Sequence, residues 1–131
     1  MTESEINDLV EQALKAREMA YAPYSDNFKV GAAVLTGNGK VFTGCNVENA
    51  SFGATVCAER VAIFKAVSEG ETRIKALAVV GQTDEPIPPC GICRQVASEF
   101  SGPTTKVIMA NLKGQKIVSD MEAILPFSFK L

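Results

Sequence analysis

The chain has 131 residues, of which 47% are apolar, and a formal net charge of −2. This length suits one domain of ordinary size with a real core, so we expect residues 1–131 to form a single domain. The 13 basic residues against 15 acidic ones form no basic stripe, which excludes the usual electrostatic pattern of a polynucleotide-binding protein and favours a small, weakly charged substrate. No apolar run approaches the length of a membrane span.

The first half of the chain predicts one helix, two strands and a loop. Thr2 and Glu5 have capping-box spacing, and apolar residues recur behind them at helical period. A tight-turn sequence at residues 37–39 separates two apolar runs. In chain order we expect a helix from about Ser4 to Ala20, a strand over Phe28–Leu35, a returning strand over Lys40–Val47 and a polar loop over Asn46–Ala54.

The second half alternates helices with strands. The near-continuous apolar run at residues 74–81 is typical of a strand that is covered on both faces. In chain order we expect a helix from near Cys57 to Ser68, a strand over Ile74–Gly81, a helix from Cys90 to about Phe100, strands over Lys106–Ala110 and Gln115–Val118, and a short helix over Ser119–Leu125. This order predicts an α/β layered domain around one mixed sheet.

Three of the four cysteines stand where predicted helices begin, namely Cys57, Cys90 and Cys93. The chain has no histidine, so a transition-metal site would have to use thiolates and carboxylates. Three thiolates leave one tetrahedral position of a zinc ion open, as in catalytic zinc sites. Because residues 1–12 contain no apolar core of a secretion signal, we expect an intracellular setting, in which metal binding is favoured over disulfides.

Two charged residues follow the first of these cysteines. Helix N-termini favour thiolates, but three thiolates would still leave a zinc ion with excess negative charge and weaken it as a Lewis acid. Arg60 could offset this charge by donating hydrogen bonds to the sulfurs. Glu59 is placed to take a proton from a water molecule beside the metal and to return it to a substrate, which is general acid/base chemistry.

The motifs together resemble one known family. They are Tyr21–Ser25, Phe28–Ala33, Gly44–Ser51, Cys57–Arg60, Pro89–Gln95 and Leu125–Pro126 with a following phenylalanine. This set, which spans nearly the whole chain, resembles the small zinc-dependent cytidine deaminases of the all-cysteine, homotetrameric kind. The resemblance implies a three-layer α/β/α fold around one five-stranded mixed sheet.

The resemblance also implies an activity and a metal site. The expected reaction is hydrolytic deamination of cytidine and 2′-deoxycytidine to uridine and 2′-deoxyuridine with release of ammonia, in cytoplasmic pyrimidine salvage. Zn²⁺ would be bound by Cys57, Cys90 and Cys93. Glu59 would protonate N3 of cytosine and then the departing amine, with Arg60 beside the sulfurs.

The substrate contacts implied by the resemblance come from several segments. They are ring stacking by Phe28, ribose binding by Asn46 and Glu48, and a main-chain contact to the base from Ala58. In such tetramers the loop that contains Ala50 and Phe52, together with a C-terminal aromatic residue, here Phe129, reaches the site of a neighbouring subunit. The family often has tyrosine where this chain has Phe52, so a hydroxyl near the sugar is lost.

Simpler interpretations of the same residues stay open at this point. Cys45 could close a structural site of four thiolates, although we expect it to face the core as a small apolar group. Glu48 could be a solvated loop charge, and Phe28 could be a core residue. Arg94 and Gln95 could be ordinary helix-surface residues.

Two alternative functions accompany these interpretations. One is deamination of a larger cytosine nucleoside such as blasticidin S, which the set of Phe28, Asn46 and Glu48 disfavours. The other is a non-catalytic module stabilised by zinc, which would require four protein ligands on the metal.

Overall fold

One five-stranded sheet organises the chain, and a computed structural model describes all residues from 1 to 131. The elements in chain order are α1 (Glu3–Arg17), β1 (Val30–Thr36), β2 (Val41–Cys45), α2 (Ala58–Ser68), β3 (Ile74–Gly81), α3 (Gly91–Glu99), β4 (Ser101–Asn111), β5 (Lys116–Asp120) and α4 (Met121–Ile124). A single 3₁₀ turn, Phe52–Ala54, lies in the loop before α2. None of the helices combines the length and the apolar character that crossing a bilayer requires.

The strand order is β2-β1-β3-β4-β5. Only β3 and β4 are parallel, and the other three pairings are antiparallel. Parallel neighbours need a crossover connection, which α3 provides between β3 and β4. The predicted mixed, five-stranded sheet is therefore confirmed.

Helices cover both faces of this sheet. Along β3, Ala76, Ala78 and Val80 join the core beneath α1, while Leu77 and Val79 join the core beneath α2 and α3. Since successive side chains of a strand point to opposite faces, β3 must be apolar throughout. The three-layer α/β/α arrangement is confirmed, and β3 has the predicted bounds.

The first helix and the first two strands are shorter than predicted. Helix α1 ends at Arg17 rather than Ala20, because the chain turns so that Tyr21 can bridge to Val47. Strand β1 starts at Val30 rather than Phe28, and β2 ends at Cys45 rather than Val47. The reason is the side chain of Asn46, which accepts a hydrogen bond from Val30 N and donates one to Phe28 O, both at 2.8 Å, in place of a regular ladder.

The last two strands, β4 and β5, are longer than predicted. Strand β4 begins at Ser101, five residues before the predicted start, because an irregular register lets Ser101 pair with Ile74 and accommodates Pro103. Strand β5 covers Lys116–Asp120 instead of Gln115–Val118. Asp120 then caps α4 by accepting a hydrogen bond from Ala123 N at 2.8 Å, which places the start of that helix two residues beyond the prediction.

A close approach between β2 and α2 fixes the start of the helix that follows Cys57. A Cβ atom on Gly44 would lie 2.6 Å from both Ala58 O and Ala62 N. Only glycine fits there, because the contacted atoms belong to helix backbone that cannot move aside. The edge strand therefore holds the first turn of α2 directly against the sheet.

We predict that Gly44→Ala lowers the free energy of unfolding by about 3 kcal/mol, the upper end for an overpacked site, because α2 must move away from β2. Urea unfolding followed by circular dichroism measures this change. Gly102→Ala is the matched control, since an added Cβ there meets nothing within 4 Å. Equal stability of the two variants would contradict the proposed role of the close contact.

Candidate active site and metal centre

Two cysteines serve as the N-cap residues of two neighbouring helices. Cys57 precedes α2 and Cys90 precedes α3, both with extended backbone and neither with a side-chain cap hydrogen bond. Cys93 lies in the first turn of α3 and is buried. The prediction that each cysteine segment begins a helix is confirmed, and each sulfur lies near the free N–H groups of a helix start.

The three sulfur atoms converge. All three lie within 4.8 Å of one another, and the Sγ atoms of Cys57 and Cys90 are 3.7 Å apart. A tetrahedral zinc ion with Zn–S bonds of about 2.3 Å places its sulfur ligands about 3.8 Å apart. A disulfide would instead need about 2.05 Å, so the donor set fits a zinc ion and not a covalent bridge.

Cys45 lies outside this cluster. It pairs with Gly31, whose missing side chain would point at Ala13 and Arg17 of α1, and paired residues share one face of a sheet. The sulfur of Cys45 is therefore directed to the α1 side, whereas α2 and α3 cover the other side. Burial raises the pKa of this half-buried thiol. The cluster thus has no fourth cysteine, and the closed four-thiolate alternative is wrong.

The pKa values of Cys57 and Cys93 shift in opposite directions. Hydrogen bonds, chiefly from the Cys93 thiol and next from Arg60, lower the pKa of Cys57 to about 5, from an ordinary value of 9.0. The contact with Cys57, together with burial, raises the pKa of Cys93. The protein alone therefore stabilises a thiolate at Cys57 and opposes one at Cys93. A bound divalent cation would supply the charge that allows both to ionise.

Arg60 lies where the sequence placed it. Its Nη2 atom donates to Cys57 Sγ at 3.5 Å, and its Nε is buried without a hydrogen-bond partner. The hydrogen bond to Cys57 raises the pKa of the guanidinium. A cation in contact with the sulfur cluster offsets part of its negative charge, as the proposed compensation requires.

Glu59 is buried beside the same sulfurs, with only 3% of its surface exposed. Burial raises the pKa of its carboxyl to about 7; the negative charge of Cys57 acts in the same direction, and Arg60 opposes both. A carboxyl group with a pKa near neutrality can both accept and donate a proton, which general acid/base catalysis requires. Burial without a salt bridge is costly for a structural carboxylate, so this placement favours a chemical role.

The predicted sugar-binding residues are held by the main chain. Glu48 accepts hydrogen bonds from Tyr24 N at 2.8 Å and from the Ser25 hydroxyl, so it is fixed and is not a freely solvated charge. Asn46 is buried between the main-chain atoms of Phe28 and Val30. The sequence did not predict Tyr24 and Ser25 as partners of Glu48, although both belong to the Tyr21–Ser25 motif.

The aromatic residues predicted for the site are exposed within this chain. Phe28 is 39% exposed, which excludes simple core packing. Phe52, in the turn that follows Ala50, is 76% exposed and meets the ring of Tyr24 edge-on at a centroid distance of 6.3 Å. Phe129 is 66% exposed. Ala58 is fully buried at the first position of α2.

Comparisons with known proteins show the family to which the chain is similar. Residues 3–111 match the family model for the cytidine and deoxycytidylate deaminase zinc-binding region. A cytidine deaminase from Halalkalibacterium halodurans is 50% identical over 121 residues, which cover 92% of this chain and 91% of that protein. The crystal structure of a cytidine deaminase from Burkholderia pseudomallei superposes with a TM-score of 0.91 at 51% identity, covering 98% of this chain and all of that one.

A third relative is more distant in sequence. A blasticidin-S deaminase from Bacillus cereus is 28% identical over 130 residues, which cover 93% of this chain and 90% of that protein. Its identity is well below that of the cytidine deaminase relative.

We predict one zinc ion per chain and its loss in Cys90→Ala, since the two remaining thiolates, Cys57 and Cys93, are too few to hold the ion. Zinc affinity should fall more than about 100-fold, beyond the loss that outer-shell changes cause. Elemental analysis of purified protein before and after dialysis against a chelator measures zinc content. Cys45→Ala, which lies across the sheet, should keep its zinc, and equal losses in both variants would contradict the assignment.

Proposed function

Because this chain belongs to the family of cytidine and deoxycytidylate deaminases, we propose that it catalyses the zinc-dependent hydrolytic deamination of cytidine and 2′-deoxycytidine. The products are uridine, or 2′-deoxyuridine, and ammonia. Residues 1–131 act as one catalytic domain. The observation that carries the proposal is the convergence of Cys57, Cys90 and Cys93 next to the buried carboxyl of Glu59.

The chemistry divides between the metal and Glu59. Zinc held by Cys57, Cys90 and Cys93 would supply the Lewis acidity that prepares water for attack on C4 of cytosine. Glu59 accepts a proton from the attacking water and delivers it to N3. It then carries the next proton to the amino group, so that the C4–N bond breaks, ammonia leaves and a carbonyl remains at C4. Burial suits Glu59 to this shuttle, because neither of its protonation states is strongly favoured near neutral pH.

Charge balance is the proposed role of Arg60. Three thiolates around one divalent ion leave a net negative centre, which weakens its attraction for the electrons of water. The hydrogen bond from Arg60 to Cys57 withdraws part of that charge. The N-termini of α2 and α3 act in the same direction, since both present partial positive charge to the sulfurs.

Nucleoside binding is proposed for the segments that precede α2. The half-exposed ring of Phe28 offers a face for stacking on the pyrimidine. Glu48 and Asn46 keep unused acceptor and donor positions beyond their main-chain contacts, which suits them to ribose hydroxyls. The N–H of Ala58 is free at the helix start and can donate to the base.

We predict that Glu59→Gln lowers kcat by about 10²–10⁴-fold while zinc content stays unchanged, because the amide cannot transfer a proton. The fall in ultraviolet absorbance as cytidine becomes uridine measures the rate. Glu69→Gln, an exposed change at the other end of α2, is the matched control. A Glu59→Gln enzyme with near-normal turnover would remove this residue from the mechanism.

Assembly is proposed to complete the site. Phe52, Phe127 and Phe129 expose most of their ring surface, and a chain acting alone rarely exposes so many large rings. The loop with Ala50 and Phe52, and the ring of Phe129, would enter the site of a neighbouring copy in a homotetramer. Four free cysteines suit a reducing cytoplasm, where the reaction would serve pyrimidine salvage.

We predict that mixing Phe129→Ala with Glu59→Gln restores activity that neither variant shows alone. If subunits redistribute at random and each site takes Phe129 from a neighbour, about one quarter of the sites are intact. Activity after mild dissociation and reassembly, compared with unmixed samples, measures recovery. Simple addition of the two residual activities would mean that Phe129 serves its own chain or no site at all.

A further inference from the structure

The two helices that carry the sulfurs are anchored in different ways. At the start of α2, Ala58 and Glu59 are buried, and Gly44 brings the sheet against the helix. At the start of α3, by contrast, Cys90 and Gly91 are exposed and Ile92 is 62% exposed. Apolar packing therefore holds α2 from its first residue, whereas at the start of α3 it reaches only Pro89 and Cys93 and leaves the three residues between them exposed.

Polar contacts from Arg94 take the place of that packing. Its Nε atom donates to Pro89 O at 2.8 Å, and its Nη1 atom donates to Ile124 O at 2.9 Å. Pro89 is buried and directly precedes Cys90. One guanidinium thus joins the main chain next to a sulfur ligand to the end of α4, with the fork geometry that only arginine offers.

Helix α4, to which Arg94 connects, is itself held in place by packing and by a helix cap. Met121 of α4 is buried in the core beneath α2 and α3, and Asp120 caps the helix. The carbonyl of Ile124 lies at the C-terminal end of this turn, where a cation is favoured. Arg94 therefore fixes the exposed start of α3 relative to α4, which is itself packed into the core.

Neighbouring residues of α3 hold the end of the chain on the same side. Gln95 Nε2 donates to Phe129 O at 3.1 Å, and Lys130 Nζ donates to Ser98 O at 2.6 Å. The face of α3 that carries Arg94, Gln95 and Ser98 is thus hydrogen-bonded to Ile124, Phe129 and Lys130. The ordinary helix-surface interpretation of Arg94 and Gln95 does not fit these contacts.

We propose that Arg94 is a positioning residue for the metal centre, which fixes the Pro89–Cys90 backbone so that the sulfurs of Cys90 and Cys93 stay at zinc-binding separation from Cys57. The inference rests on the proposed zinc-dependent function. Arg94 touches neither substrate nor metal in this role. Its removal would leave the buried Pro89 carbonyl without its donor and would break the link between the start of α3 and the end of α4.

The test is the rate at which the full-length zinc protein releases its metal to the chromophoric chelator 4-(2-pyridylazo)resorcinol. Residues that orient metal ligands typically change metal affinity by about 10- to 100-fold, and we expect Arg94→Ala to show this loss as zinc release that is faster by about the same factor. Arg94→Lys should also release zinc faster than wild type, because one ammonium group cannot reach both carbonyls in fork geometry. If Arg94→Ala does not fold, the zinc release rate of Arg94→Lys tests the proposal on its own.

Arg17→Ala is the matched control, because Arg17 Nε makes an equivalent bond to Lys29 O at 2.9 Å, outside the sulfur cluster. Its release rate should equal that of wild type. The absorption bands of the cobalt(II)-substituted proteins supply a second readout, since a change in sulfur geometry shifts them and a loss of overall stability does not. We expect a shift in Arg94→Ala and none in Arg17→Ala.

Three results would overturn the proposal. The first is a zinc release rate in Arg94→Ala equal to that of wild type, and the second is the same result in Arg94→Lys, which would mean that a positive charge alone suffices. The third is zinc release from Arg17→Ala that is as fast as from Arg94→Ala. If wild-type protein holds zinc and deaminates cytidine while Arg94→Ala releases zinc normally, only the positioning role fails. A wild-type protein that holds no zinc would instead refute the proposed function, and the positioning role with it.

Discussion

Negative charge concentrated on three sulfur atoms is the constraint that the site must satisfy. The chain opposes it with two helix N-termini and the guanidinium of Arg60, and even so a thiolate is favoured at Cys57 and opposed at Cys93. A divalent cation resolves this conflict, because it attracts each of the three charges that repel one another. Metal binding and the local fold therefore support each other, as expected for a site whose ligands cannot ionise together without the ion.

The sheet topology explains how the two helix starts meet. Helix α2 enters from the edge strand β2, and α3 enters from β3 as the crossover to β4. Both helices cover the same face, so their N-termini can approach one metal position. Helix α1 covers the opposite face, and Cys45 is directed to that side. The sheet thus separates the fourth cysteine from the other three, so that Cys45 could not act as a fourth ligand to a zinc ion bound by them.

The sequence predicted those parts of the site that local patterns encode. The spacing of Cys90 and Cys93, the glutamate after Cys57 and the apolar run of β3 each follow from residue types within one segment. The partners of Arg94 could not be predicted this way, because Pro89 O and Ile124 O are main-chain atoms without a side-chain signature. The same holds for Glu48, since its donor Tyr24 N is 24 residues away. The bounds of β1 and β2 were wrong for the same reason, because one side chain, Asn46, replaced ladder hydrogen bonds.

Residues that shape the loops near the site are also those proposed to bind the sugar. Asn46 and Glu48 are already held by main-chain donors and acceptors before any nucleoside arrives. A side chain that is already fixed loses no rotamer freedom on binding, and that loss would otherwise cost about 0.5–1.5 kcal/mol for each side chain. The rings of Phe52 and Phe129 stay largely exposed within one chain, although Phe52 meets Tyr24 edge-on and the main-chain carbonyl of Phe129 accepts a hydrogen bond from Gln95. If a neighbouring subunit supplies such rings, as proposed, the preorganised polar contacts of one subunit and the aromatic contacts of another would together tie substrate affinity to assembly rather than to the single chain.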